Sequence, residues 1–235
     1  IKEYNVLLCV KKGPDLTAPY IMQENPASGS YIKFRTNEKN VSFFVNEPST
    51  CKYSRQDKTY DNMENSMICN TNLNQGGIYG WPCFANLRNI SGESKFYIKC
   101  KDQPLENESK RNVMEKSHEY VLSQSKENLK ISSIEPKNNA EITEGFEPVT
   151  VILKAFTSGG SGNSVCDYSF DNKNYMQFLS NSGSISEQEF NQMTRGNYKI
   201  NIKCHDEAGN EVINYTNFKV KIDTSAPIIT RAYYQ

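Results

Sequence analysis

An all-β chain of two β-sandwiches in tandem is what this sequence predicts, and three observations carry the prediction. Tyr and Phe are abundant (14 and 11) in a chain only 37% hydrophobic, a balance suited to half-buried strands. Short blocks recur in the two halves of the chain. Within those blocks apolar and polar residues alternate with period two, the strand signature. The 235 residues are enough for two domains of ordinary size, each with its own core.

The recurrence sets the organisation. Cys51-Lys-Tyr-Ser is echoed by Cys166-Asp-Tyr-Ser, and Phe96-Tyr-Ile-Lys-Cys100-Lys-Asp102 by Ile200-Asn-Ile-Lys-Cys204-His-Asp206, a period of roughly 100 residues. Thr17-Ala18-Pro19-Tyr20-Ile21 opens one unit, and Ser225-Ala226-Pro227-Ile228-Ile229 opens another. The expected units are therefore 17–124, with an insertion over 70–91, and 125–223. Residues 1–16, containing Asn5–Val10, read as the last strand of a preceding unit or as a donor strand. Residues 224–235 read as the start of a following repeat or an exchanged strand.

In the second unit, Leu129–Ile134 is the first strand and Val149–Phe156 the second. The Gly/Ser loop over 157–163 leads into Ser164–Phe170, where Cys166, Tyr168 and Phe170 share a face. Glu187–Met193 reads as one helical turn. In Tyr198–Cys204 the residues Tyr198, Ile200, Ile202 and Cys204 point inward, and a tight hairpin over Asp206–Asn210 leads into the strand Tyr215–Ile222. In the first unit Val41–Val45, Thr50–Ser54 and Lys95–Cys100 match the second, third and penultimate strands, and Glu119–Leu122 closes the unit. About seven short strands per unit at regular spacing indicate a sandwich.

Seven dispersed cysteines without a Cys-X-X-Cys, and two histidines, His118 and His205, far from any thiol cluster, argue against a structural zinc site and for a disulfide framework in an oxidising compartment. The alignment pairs Cys51 with Cys100 and Cys166 with Cys204, each joining the third strand to the penultimate one, which are antiparallel neighbours within bridging range. Cys69 and Cys83 staple the insertion, and Cys9 is left unpaired or intermolecular. Sequons at Asn40, Asn89, Asn107 and Asn214 are candidate glycosylation sites.

The run Tyr198-X-Ile-X-Ile-X-Cys204-X-Asp206-X-Ala-Gly-Asn210, with Cys51-Lys-Tyr-Ser followed by Asp57, Tyr60 and Met63, resembles the immunoglobulin-like and fibronectin-III-like repeats of large archaeal and bacterial surface proteins. Gly196-Asn197-Tyr198 resembles a tyrosine corner, displaced from its usual spacing to the cysteine. The resemblance implies a secreted or surface-anchored module used for adhesion, spacing or assembly.

Twenty-seven basic against 27 acidic residues leave no net charge, which argues against nucleic acid or an anionic membrane as partner. No apolar run approaches the ~18 residues that span a bilayer. No serine-nucleophile elbow, Walker loop or His-Glu-X-X-His is present, so the expectation is a protein that is not an enzyme and needs no cofactor. One candidate structural calcium site remains, at Asp206, Asn210 and Asp223 with Glu207 alongside, since hard oxygen ligands suit that ion. The stretch 74–82, with Ile78, Tyr79 and Trp81, is the candidate binding surface, because aromatics on a stapled loop suit a sugar or a protein hot spot. Two functions follow: an extracellular structural or adhesive protein that partners with itself or with neighbouring repeats, or a carbohydrate- or protein-recognition module (receptor-like, or accessory to a secreted enzyme) acting through 70–91.

Overall fold

The computed structural model describes residues 15–225. Cys9, the Asn5–Val10 strand and residues 226–235 of the expected following strand lie outside the described residues. Two compact units divide the rest, 15–30 with 37–122 and 31–36 with 123–225. The division thus falls at 122/123, and the short 31–36 segment groups with the second unit.

The first unit is built of β1 (Ile21–Asn25), β2 (Ser30–Ile32), β3 (Lys39–Val45), β4 (Ser49–Ser54), β5 (Asn65–Ser66), β6 (Ile68–Cys69), β7 (Trp81–Leu87), β8 (Glu93–Asp102) and β9 (His118–Gln124). These form a sheet in the order β1-β3-β7-β6 and a second in the order β2-β9-β8-β4-β5. The second unit is built of β10 (Lys130–Glu135), β11 (Ala140–Glu144), β12 (Val149–Ser158), β13 (Ser164–Ser169), β14 (Met176–Gln177), β15 (Ser180–Ser182), β16 (Ile185–Met193), β17 (Gly196–Asp206) and β18 (Glu211–Ile222). Its sheets, β10-β12-β16-β15 and β11-β18-β17-β13-β14, repeat the same order strand for strand. This is the strand order of an immunoglobulin-like sandwich.

Alternation decides which side faces inward. Val41, Phe43 and Val45 of β3 and Phe96, Ile98 and Cys100 of β8 fill the first core; Val149, Val151, Leu153 and Ala155 of β12 and Ile200, Ile202 and Cys204 of β17 fill the second. Each large side chain withdrawn from water in this way stabilises its sandwich by about 1.5–3 kcal/mol. In both units the first strand is split, one half in each sheet, and the break falls at a proline, Pro26 or Pro136, each preceded by a cis peptide bond. Proline has no N–H with which to continue a ladder. The same carbonyl is held in each case: Tyr120 Oη donates to Pro26 O (2.9 Å) and Thr216 Oγ1 to Pro136 O (2.6 Å).

Two expectations are corrected. Residues 187–193 are extended within β16, where pairing with β12 from Val149 to Phe156 outweighs the helical preference of the Glu and Gln residues. The segment 70–91 is not an insertion as a whole, because 81–87 is β7, an interior strand between β3 and β6. Only 70–80 is extra chain.

Three disulfides join strands within sheets rather than across them. Cys51–Cys100 links β4 to β8, Cys166–Cys204 links β13 to β17, and Cys69–Cys83 links β6 to β7. In each, the two cysteines are directly opposed in an antiparallel register, with Cα atoms 3.9–4.0 Å apart. In the first unit the bridges of the two sheets meet in the core, with Cys83 Sγ 3.4 Å from Cys51 Sγ.

Two carboxylates in the turns that follow β4 and β13 carry an acid-sensitive share of stability. Asp171 accepts the backbone N–H groups of Asn174 and Lys173 (both 2.8 Å), together with Ser169 Oγ and Asn174 Nδ2, and these bonds hold it well below the usual carboxylate range. The hydrogen bond and ion pair from Lys58 lower Glu64 to about 2. A carboxylate whose folded pKa is depressed adds stability that is present above its unfolded pKa and is lost as pH falls through the folded value.

Two outcomes are expected. Replacing Cys166 and Cys204 together by serine lowers unfolding free energy by about 3–4 kcal/mol in the chain-entropy description, measured by urea titration against the oxidised parent. In a thermal-melt series, stability falls below about pH 4, and the fall is shallower in Asp171→Asn, which is also less stable at neutral pH.

Candidate functional site

The first unit forms a cleft of about 370 Å³ where the extra chain of 70–80 approaches the turn after β8. Trp81, Leu73, Leu105, Pro48 and Pro104 supply apolar wall, and Asp15, Glu47, Thr71, Gln103 and Glu106 supply polar rim. Trp81 stands at the start of β7, its indole N–H donating to Asn72 O at 2.9 Å. Gly76 lies against the ring so closely that a Cβ there would come within 2.7 Å of Trp81 Cζ2. Gly80, at φ 100°, turns the chain where any Cβ would run into the Val45 carbonyl oxygen. The indole is thus clamped at its nitrogen and along one side, and half-buried overall.

Of the three aromatic and aliphatic residues expected to bind, only Trp81 reaches this cleft. Ile78 is 95% exposed on the tight turn of 77–80, and Tyr79 meets Phe44 edge to face at 6.0 Å. Leu73, Gln103 and Leu105 are not signalled by the sequence. The latter two come to the cleft because β8 carries the chain back to the end of the sandwich where β7 begins.

Next to the cleft, Asp15, Glu47 and Asp102 bring carboxylate oxygens within 4.8 Å of one another. N–H donors orient this cluster. Buried Asp102 accepts Asn112 N (2.6 Å) and Asn112 Nδ2 (2.8 Å), and Asp15 accepts Gln103 Nε2 (2.9 Å). The Cys51, Cys69 and Cys83 sulfurs also cluster, but they are bonded in disulfides and offer no thiolate to a metal.

The predicted calcium ligands do not converge. Asp206 and Asn210 face each other across the β17–β18 turn, whereas Asp223 lies past the far end of that hairpin, bonded to Glu144 O through its N–H and accepting Ser225 N. Strand rise separates them by roughly 30–40 Å. The Asp206 carboxylate, almost fully buried, instead accepts Asn210 N, Asn210 Nδ2 and Ser161 N, all at 2.8 Å. Donors occupy the lone pairs a cation would need. Glycine at 160 is required, since a Cβ would collide with Asp206 Oδ2. The first unit repeats the device: Asn112 Nδ2 reaches both Asp102 and Asp15 O, as Asn210 Nδ2 reaches both Asp206 and Ser125 Oγ. In each unit an Asp–Asn pair holds the segment that enters that unit.

The remaining candidates lie at the surface. All four sequon asparagines are exposed, Asn40 on β3, Asn89 in the β7–β8 turn, Asn107 before a short 3-10 turn and Asn214 on β18. His205 is exposed at the end of β17, and His118 pairs with Glu24 (2.7 Å) beside Phe43.

These donors set a test. Adding calcium or a chelator is expected to leave the melting temperature unchanged, while Asp206→Ala costs about 1–3 kcal/mol by orphaning buried N–H groups. A calcium-dependent rise in melting temperature that disappears in Asp206→Ala would contradict this.

No protein-family model matches the chain. No curated protein matches it by sequence. Among solved structures it is similar to the fibronectin(III)-like modules of Clostridium thermocellum CbhA, at 15% identity and a TM-score of 0.49 over 91% of this chain and 100% of that one. It is similar to a tandem pair of titin Ig domains at 10% identity and a TM-score of 0.33, over 88% of this chain and 98% of that one. Against Sidekick-1 immunoglobulin domains 1–5 the values are 12% and 0.33, over 88% of this chain and 40% of that one. The fold assignment rests on the strand order and not on these likenesses.

Proposed function

We propose that this chain is a non-enzymatic extracellular protein with a structural or adhesive role, a pair of sandwich modules that partners with copies of itself or with neighbouring repeats. The observation that carries the reading is the repeated bridge between equivalent strands, Cys51–Cys100 and Cys166–Cys204. Bridges of this kind persist where the surroundings are oxidising, outside the cell or in the secretory pathway. They also limit how far a pulled module extends, since 49 and 38 residues separate the paired cysteines. The carboxylates of Asp102, Asp206 and Asp171 are committed to backbone N–H donors. That is the chemistry of a scaffold.

A second reading, recognition of a sugar or a protein, is favoured by one observation, the apolar cleft against Trp81. A clamped indole beside amide and carboxylate groups is a surface on which a pyranose or an aromatic side chain can stack.

One experiment separates the two. Beads coated with the oxidised protein are expected to cluster with one another or hold to cells, and Trp81→Ala is expected to leave that clustering intact. Loss of binding in Trp81→Ala with unchanged circular dichroism would favour recognition, and absence of clustering by the parent would contradict the adhesive reading. In single-molecule pulling, adding reductant should lengthen the unfolded contour by roughly 170 Å for the first unit and 130 Å for the second.

A further inference from the structure

On the outer face of the β1-β3-β7-β6 sheet one row is apolar where the matching row of the second unit is charged. The row at Phe44 and Pro82 is apolar in both units, its counterpart being Phe156 opposite Ile185; the next row of the first unit sets Ser42 opposite Phe84, and Phe84 opposite Ile68. Phe84 is 50% exposed and Ile68 79%. In the second unit the corresponding row sets Lys154 opposite Glu187, joined at 2.9 Å. The sandwich itself therefore does not call for apolar side chains in this row, and an exposed aromatic and aliphatic pair marks a surface that something covers.

Asn40 stands on the same face. It lies opposite Asn86, and Ser42 lies opposite Phe84, so Asn40 and Phe84 are diagonal neighbours about 7 Å apart. Asn40-Val41-Ser42 is a sequon. Asn86 Nδ2 donates to Asn40 Oδ1 at 2.7 Å, and Arg88 Nε donates to Asn86 Oδ1 at 2.9 Å. That chain of bonds orients the Asn40 amide through its oxygen, while its nitrogen is the atom a glycan attaches to. The second unit, whose matching row is charged, has its sequon at Asn214 on β18, in the other sheet.

We infer that Asn40 carries an N-linked glycan whose first sugar lays its C–H face on Phe84 and covers Phe84 and Ile68. The inference rests on the extracellular reading above, because attachment takes place in the secretory pathway. In that step Asn40 Nδ2 loses one proton and bonds to the anomeric carbon of a polyprenyl-diphosphate-linked oligosaccharide, and the diphosphate departs with the anomeric C–O electron pair. A pyranose stacked on an aromatic ring removes apolar surface from water without any second protein chain.

The test uses the full chain secreted from a eukaryotic host, as parent, Ser42→Ala (which removes the sequon and keeps Asn40) and Phe84→Thr, with parent and Phe84→Thr also trimmed by a peptide N-glycosidase, which removes the first sugar as well. Peptide mapping reads occupancy, an apolar dye reads exposed surface, and melting and sedimentation read stability and association. The expected result is glycan at Asn40, a rise in dye fluorescence of at least about two-fold in Ser42→Ala, and a melting temperature lower by about 2–4 °C. In Phe84→Thr, trimming should no longer change the dye signal. The inference is overturned if Asn40 is bare, if dye signal and melting are unchanged in Ser42→Ala, or if the glycan-free protein dimerises and stays dye-silent, which would make a second copy the cover. Bare Asn40 with intact disulfides removes this inference alone; free thiols in the secreted protein remove the extracellular reading as well.

Discussion

Covalent pairing of directly opposed strands is the constraint from which the rest of this structure follows. A bridge between residues in register fixes which strands are neighbours and also fixes the register, because slipping by one residue would turn every inward side chain outward. Cys51–Cys100 and Cys166–Cys204 impose this on the same pair of strands in both units. With those strands pinned, the alternation in β8 and β17 sends Phe96, Ile98, Ile200 and Ile202 into the two cores. In the first unit the Cys69–Cys83 bridge of the facing sheet packs against Cys51, so sulfur occupies the middle of the core. The inter-sheet bridge of antibody domains is replaced here by intra-sheet bridges that meet face to face.

Much of this was legible in the sequence, for a physical reason. A strand buried on one face must alternate, and the repeated Cys blocks mark the two strands that the structure joins, so repeat, alternation and spacing all specify one arrangement. The tyrosine resemblance also has a structural counterpart, Tyr198 Oη donating to Thr194 O at 2.8 Å. Its first-unit analogue is Ser94, whose hydroxyl donates to Ser91 O.

What the sequence did not show depends on non-local pairing. Residues 187–193, rich in Glu and Gln, read as helical because local preference says nothing of β12 alongside. β7 was hidden inside a longer, irregular segment whose glycines and asparagines dominate its composition. The calcium reading failed on geometry: Asp206 and Asp223 are seventeen positions apart in sequence yet sit at opposite ends of one hairpin. The same Asp–Asn residues that suggested oxygen ligands serve as acceptors for N–H groups in a turn. Likewise the cleft beside Trp81 is assembled from residues 15, 47–48, 71, 73, 81 and 103–106, which only the folded strand order brings together.

The central claim, that in-register disulfides define an extracellular scaffold, is tested most directly by peptide mapping of native material under non-reducing conditions after blocking free thiols. The account predicts three linked peptide pairs, joining Cys51 to Cys100, Cys69 to Cys83 and Cys166 to Cys204. Recovery of these six cysteines as alkylated thiols, or linked in another pattern, would contradict it.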